Sequence, residues 1–181
     1  APIANEMSRL TIAEAARRLP GKPFKYLVLT HHHMDHVNGA RVFAAKGADL
    51  IFPAGDRAYF AAQMEAPNRV RNDELWQRPR DVGLIEVNGK MTLTDGGRQI
   101  DLYVINSSHA KNSLVAVIPD ADFGWVVDLW SPTRDIPGAL ASHREFVVGL
   151  RALGMMPHLW AGGHGLGAAP IEPLVEALEK K

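Results

Sequence analysis

The 181-residue sequence contains no cysteine. That absence excludes disulfides, thiolate zinc sites, iron–sulfur clusters and cysteine nucleophiles together, so any metal must be held by imidazole and carboxylate. A surplus of one charge is missing too. Twenty basic residues balance twenty acidic ones, which gives no reason to invoke nucleic acid or an anionic membrane as partner. No apolar run approaches the roughly 18 residues of a membrane span. The opening residues, Ala1-Pro2-Ile3-Ala4-Asn5-Glu6, lack the charged-then-apolar pattern of a signal peptide. A soluble protein is expected, with cytoplasm and periplasm both open. Repeats and low-complexity tracts are absent as well, and the length suits one domain over residues 1–181.

What is present reads as alternating strands and helices. Thr11-Ile12-Ala13-Glu14 is a capping-box pattern, predicting a helix that runs to Leu19 and stops at Pro20-Gly21. Residues 26–29 form a continuous apolar run of the length of a strand buried on both faces. Asn38 looks like the N-cap of a helix through Lys46, followed by a strand at 50–52 and a helix over 56–64. Residues 66–80 read as a polar surface loop or a lid. Strands are predicted at 82–87, 91–94 and 100–105, with Asn88-Gly89 as a hairpin turn. A second hairpin pairs 113–118 with 124–128 around Pro119-Asp120-Ala121-Asp122. A helix from Pro137 to Gly154, a strand at 158–161 and a helix over 170–179 complete a layered α/β or α+β pattern.

The chemistry concentrates in Thr30-His31-His32-His33-Met34-Asp35-His36. On an extended backbone His31, His33 and Asp35 point to one side and His36 to the other, so a strand end offers ligands to two neighbouring metals. Neutral imidazole and carboxylate suit Zn²⁺, and also Mn²⁺ or Fe²⁺. Further along, His109 precedes one strand of the second hairpin and Asp128 follows the other. The turn lies midway between them, so antiparallel pairing should bring both to one sheet edge. His164 lies in Gly162-Gly163-His164-Gly165, directly after a strand, where glycine lets backbone approach a ligand closely. Asn112 could reach a substrate. His143 and His158 read as ordinary surface histidines.

Taken together, these residues resemble the metallo-β-lactamase superfamily, whose signature is His-x-His-x-Asp-His after a strand, then a histidine, a bridging aspartate and a late histidine. The resemblance spans Phe24 to about Leu166. It implies an α+β fold, the αββα sandwich of the metallo-β-lactamase type, here with the N-terminal part of the first sheet missing. It also implies that His31, His33 and His109 bind one metal, that Asp35, His36 and His164 bind a second, and that Asp128 bridges the two. His32 falls outside the ligand set, exposed or behind a ligand. The stretch after His109, Ala110-Lys111-Asn112-Ser113, lacks the Thr-Pro-Gly-His run of glyoxalase II-like members. Aspartate also stands at position 128, where β-lactamases of the zinc–cysteine kind need cysteine.

The expected activity is therefore metal-dependent hydrolysis at a dinuclear site holding two Zn²⁺, with Fe or Mn as substitutes. Two cations would lower the pKa of a bridging water from about 15.7 toward about 7. The resulting hydroxide, oriented by Asp35 and Asp128, would attack an ester, lactone, thioester or amide-like small molecule. Two other readings are an iron-dependent redox enzyme on the same ligands and an incomplete domain serving as an interaction module. Only one helix and one strand precede the histidine motif, so the chain is expected to be the C-terminal portion of a longer domain, or to be completed by a partner chain or homo-oligomer.

Overall fold

A computed structural model describes residues 1–67, 73–132 and 140–180. The chain divides into two compact units, Ala1–Glu86 and Val87–Lys181. Its class is α+β, with two sheets flanked by helices.

The first unit begins with helix α1 (Asn5–Arg18), longer than the capping-box pattern suggests. Thr11 sits inside the helix, where its hydroxyl donates to the Met7 carbonyl at 2.9 Å instead of capping a free N–H. Strand β1 (Tyr26–Val28) pairs in parallel with β2 (Asp49–Pro53), and β3 (Leu84–Val87) lies on the other side of β2. All three β1 residues are only half-buried, which corrects the expectation of a strand buried on both faces. The reason is its place at the edge of the sheet; Leu29, just beyond it, is fully buried.

After β1 the chain does not stay extended. Met34–Val37 forms a helical turn, α2, and α3 (Ala40–Ala45) follows. Asn38 closes α2 by donating its N–H to the Met34 carbonyl, so it is not the predicted N-cap; Gly39 holds that place. A side chain at Gly39 would not fit: a Cβ there would lie 1.9 Å from Ser8 Oγ and 2.8 Å from the Pro2 carbonyl oxygen. Close packing of α1 on α3 depends on this glycine. Helices α4 (Arg57–Glu65) and α5 (Glu74–Gln77) complete the unit. The short α5 falls within the segment expected to be loop. Leu29, Val37, Ala40, Leu50, Phe52 and Phe60 form the buried core.

In the second unit one sheet runs β4 (Lys90–Thr94), β5 (Gln99–Asn106), β6 (Asn112–Ile118), β7 (Phe123–Val126), β8 (Leu159–Gly162) and β9 (Ala168–Pro170). Its pairs are antiparallel except β7 with β8. The predicted hairpin at Asn88-Gly89 does not form, because β3 pairs with β2 and β4 with β5. A tight type I′ turn needs positive φ at both central residues; Gly89 has φ 81°, but Asn88 is not among the positive-φ residues. The hairpin of β6 with β7 does form, and a 3₁₀ turn over Pro119–Ala121 joins its strands.

Parallel pairing of β7 with β8 requires a crossover, and α6 (Ala141–Ala152) lies within it. The residues 137–139 predicted to open this helix lie outside the described residues. His143, Phe146, Val147 and Leu150 form the buried face of α6. His143 is therefore a buried histidine, 6% exposed, and not the surface residue expected. His158 is exposed as expected; its ring meets the Glu172 carboxylate at 2.9 Å at the start of α7 (Glu172–Glu179). The core gathers Trp160, Phe146, Leu150, Val126 and Leu174.

Asp101, on β5, is a buried acid and accepts hydrogen bonds from Thr92, Gln99 and Tyr103, besides pairing with Lys90 at 3.0 Å. Burial alone would raise its pKa, but these partners together outweigh it and hold the carboxyl at about 2, below the ordinary 3.8. A lowered folded-state pKa contributes stability above the unfolded value and loses it as the pH falls through the folded one. Asp101→Asn should therefore lower the unfolding free energy at neutral pH by about 2 kcal/mol. The deficit should shrink as the pH drops from about 4 toward about 2. Urea unfolding at neutral pH and near pH 3 checks this, and a constant gap would exclude the carboxylate charge as its cause.

Candidate metal centre

In the first unit the motif residues are built on the bend after β1. His31 is fully buried, with Thr30 Oγ1 3.2 Å from its Nδ1. Its ring lies 4.6 Å from that of His33 and 4.9 Å from that of His36, centroid to centroid. Imidazole nitrogens gathered this closely are the donor type that a divalent cation takes. Asp35 Oδ2 lies 3.1 Å from His36 Nε2. The ligand atoms of His31 and His33, and those of Asp35 and His36, lie within 4.8 Å of each other.

The backbone route to this cluster differs from the expected alternation. Asp35 and His36 stand on the helical turn α2, with His33 at its N-cap and the His36 N–H donating to the His33 carbonyl at 3.0 Å. Strand geometry therefore does not decide which side His36 faces; the helical turn does. Met34 is left 68% exposed in the middle of the motif. His32 is also partly exposed, and its ring meets that of His33 edge-on at 5.3 Å. Its Nδ1 lies 3.5 Å from Asp56 Oδ2, and its ring meets that of Tyr59 edge-on at 6.0 Å. Asp56 occupies the N-cap of α4, yet its side chain makes no capping bond.

In the second unit one carboxylate organises the rest. Asp128 Oδ2 lies 3.0 Å from His109 Nε2, and Asp128 Oδ1 lies 2.8 Å from His164 Nε2. The β6–β7 register pairs Ala116 with Trp125 and Val117 with Gly124. Continued outward, it carries the segments holding His109 and Asp128 to the same end of the hairpin. The glycine-rich segment around His164 joins β8 to β9, a strand the sequence reading missed. Asp128 adopts φ 62°, left-handed backbone that a residue with a Cβ seldom takes. Asn112 is the first residue of β6, half-buried and opposite Asn106.

Residues 3–105 match the sequence family described as the metallo-beta-lactamase superfamily. The chain belongs to that superfamily. The match contains the whole His31–His36 motif but ends before His109, so the three later residues rest on the geometry above. Solved metallo-β-lactamases share the fold. The enzyme from Pontibacter korlensis has a TM-score of 0.70 at 15% identity, over 100% of this chain and 80% of that one. DIM-1 metallo-β-lactamase gives 0.66 at 15% identity, over 99% of this chain and 78% of that one. A stereoselective inverting sec-alkylsulfatase from Pseudomonas sp. gives 0.64 at 14% identity, over 98% of this chain but 35% of the other. No curated protein sequence matches.

Among the described residues, the candidate metal-holding groups of this superfamily member consist of imidazole and carboxylate donors. Such donors, clustered and partly withdrawn from solvent, fit a borderline cation such as zinc.

Proposed function

We propose that this superfamily member is a metal-dependent hydrolase acting on an ester, lactone, thioester or amide-like small molecule. His31, His33, His109 and Asp128 would hold one zinc ion, and Asp35, His36, His164 and Asp128 a second. The observation that carries the reading is Asp128, whose two oxygens are shared between His109 and His164 at 3.0 and 2.8 Å. A carboxylate offering one oxygen to each of two imidazoles is suited to stand between two cations bound by those rings.

When bound, zinc supplies Lewis acidity, bringing the pKa of a water from about 15.7 toward about 7 and polarising the scissile carbonyl. The protein's own share is placement. Asp35 and Asp128 accept hydrogen bonds from the attacking water and hold its lone pair toward the carbonyl carbon. The buried His31, braced by Thr30, keeps one ligand in a fixed rotamer. Solved structures of this fold include β-lactamases and an alkylsulfatase, so the fold alone does not choose a substrate.

Metal analysis of the purified chain, followed by a panel of nitrophenyl esters, lactones, thioesters and amides, tests the proposal. Two zinc ions per chain and turnover of at least one class are expected. Zinc should leave as the pH falls below neutrality, because protons compete for the imidazole lone pairs. Iron with dioxygen uptake would instead indicate redox chemistry, and a chain that takes up no metal would support an interaction module.

A further inference from the structure

We propose that Glu145, on α6, is a positioning residue for His109: its carboxylate clamps the loop that aims this histidine at Asp128. The inference rests on the reading of His109 as a metal ligand. Glu145 Oε2 accepts from the Ser108 backbone N–H at 2.7 Å and from the Ser108 hydroxyl at 3.0 Å. On the other side of His109, the Ser107 hydroxyl donates to the Ala110 carbonyl at 2.9 Å and accepts from the Ala110 N–H at 3.2 Å. The residues on both sides of His109 are thus tied.

Local packing explains why Glu145 reaches this loop. One turn further along α6, a Cβ at Gly149 would lie 2.9 Å from Ile105 Cγ2 on β5. Glycine lets the helix sit directly on the strand, and β5 ends one residue later, at Asn106, where the loop begins. Glu145 lies four residues before Gly149, hence on the same side of the helix and above the loop. A carboxylate is an unusually strong acceptor, and two donors from one residue leave Ser108 little freedom. The His109 side chain is 30% exposed, so packing alone does not fix it. Held by the clamp, its Nε2 stays 3.0 Å from Asp128 Oδ2.

The test is zinc affinity of the full chain, measured by chelator competition, beside ring ¹⁵N spectra of His109 in the metal-free protein. Residues that orient a ligand from behind it typically contribute 10–100-fold in affinity. Glu145→Ala should weaken zinc binding by about 10-fold. Glu145→Gln should recover most of that loss, since its amide oxygen still accepts both bonds. Glu145→Ala combined with Ser108→Ala should bind zinc no worse than Glu145→Ala alone, as both remove one interaction. In the metal-free spectra, Glu145→Ala should shift the His109 signals and Glu145→Gln should restore them. Glu176→Ala, on the exposed side of α7, is the control. Equal zinc affinity in Glu145→Ala and the control, or no rescue by glutamine, overturns the proposal. A parent protein that binds no zinc would remove the metal reading instead. The clamp would then stand or fall on whether Glu145→Ala changes the metal-free His109 signals.

Discussion

Replacing Asp128 by glycine is expected to abolish zinc uptake and hydrolysis while leaving the metal-free protein at least as stable as Asp128→Ala. The two effects separate because Asp128 combines a bridging carboxylate with left-handed backbone. With φ at 62°, any residue carrying a Cβ is strained; the cost is about 1–2 kcal/mol, less for aspartate than for alanine. Glycine relieves that strain and loses the carboxylate; alanine loses the carboxylate and keeps the strain. The glycine variant should therefore exceed the alanine variant in stability by about 1 kcal/mol. The pairs of Asp128 with His109 and His164 offset this only weakly, since both imidazoles are about a third exposed. Zinc affinity should fall by more than the 10–100-fold typical of a residue behind the ligands. Thermal unfolding in chelator, beside metal analysis, checks both halves. Stoichiometric zinc in Asp128→Gly, or alanine as the more stable variant, would refute this account.

Strain of that kind is common where function fixes the backbone, and no residue pattern announces it. The sequence could show only that His109 and Asp128 flank a hairpin whose turn is midway between them, and that symmetry was enough to expect them at one end of it. His36 was harder. Period-two alternation holds only while the chain remains extended, and α2 begins at Met34, so Asp35 and His36 are displayed by a helical turn. Asn88-Gly89 misled for a related reason: a turn dipeptide reports local backbone preference, whereas β3 found its partner in β2 through burial against the first unit's core. The burial of His143 was legible. It stands three, four and seven residues before Phe146, Val147 and Leu150, the spacing of a buried helix face. Contacts such as Ser108 with Glu145, or His32 with Asp56, join residues far apart in the chain, and local pattern carries no trace of them.

The largest expected loss of stability lies at Arg41 and Asp73, both buried. The Arg41 guanidinium meets the Asp73 carboxylate through two bonds, at 2.5 and 3.1 Å. It also donates to the carbonyls of Gln63 and Met64 in the last turn of α4. Asp73 in turn caps α5 by accepting the Trp76 N–H at 2.8 Å. One ion pair thus ties α3 to the end of α4 and the start of α5. Removing either partner leaves a charge buried without its counterion, which typically costs about 3–5 kcal/mol. Arg41→Ala and Asp73→Ala should each lose stability on that scale. Arg41→Met with Asp73→Leu should lose less than either, because no uncompensated charge remains, although the cap on α5 and the α4 carbonyls still lose their partners. Hydrogen exchange is the suitable probe, since amides of α3 and β2 report this region directly whether or not the whole chain unfolds in two states. A cost below about 1 kcal/mol for both single variants would place the pair among surface-like ion pairs. A double variant whose loss equals the sum of the singles would show that the two charges act independently, and would exclude an uncompensated buried charge as the source of the loss.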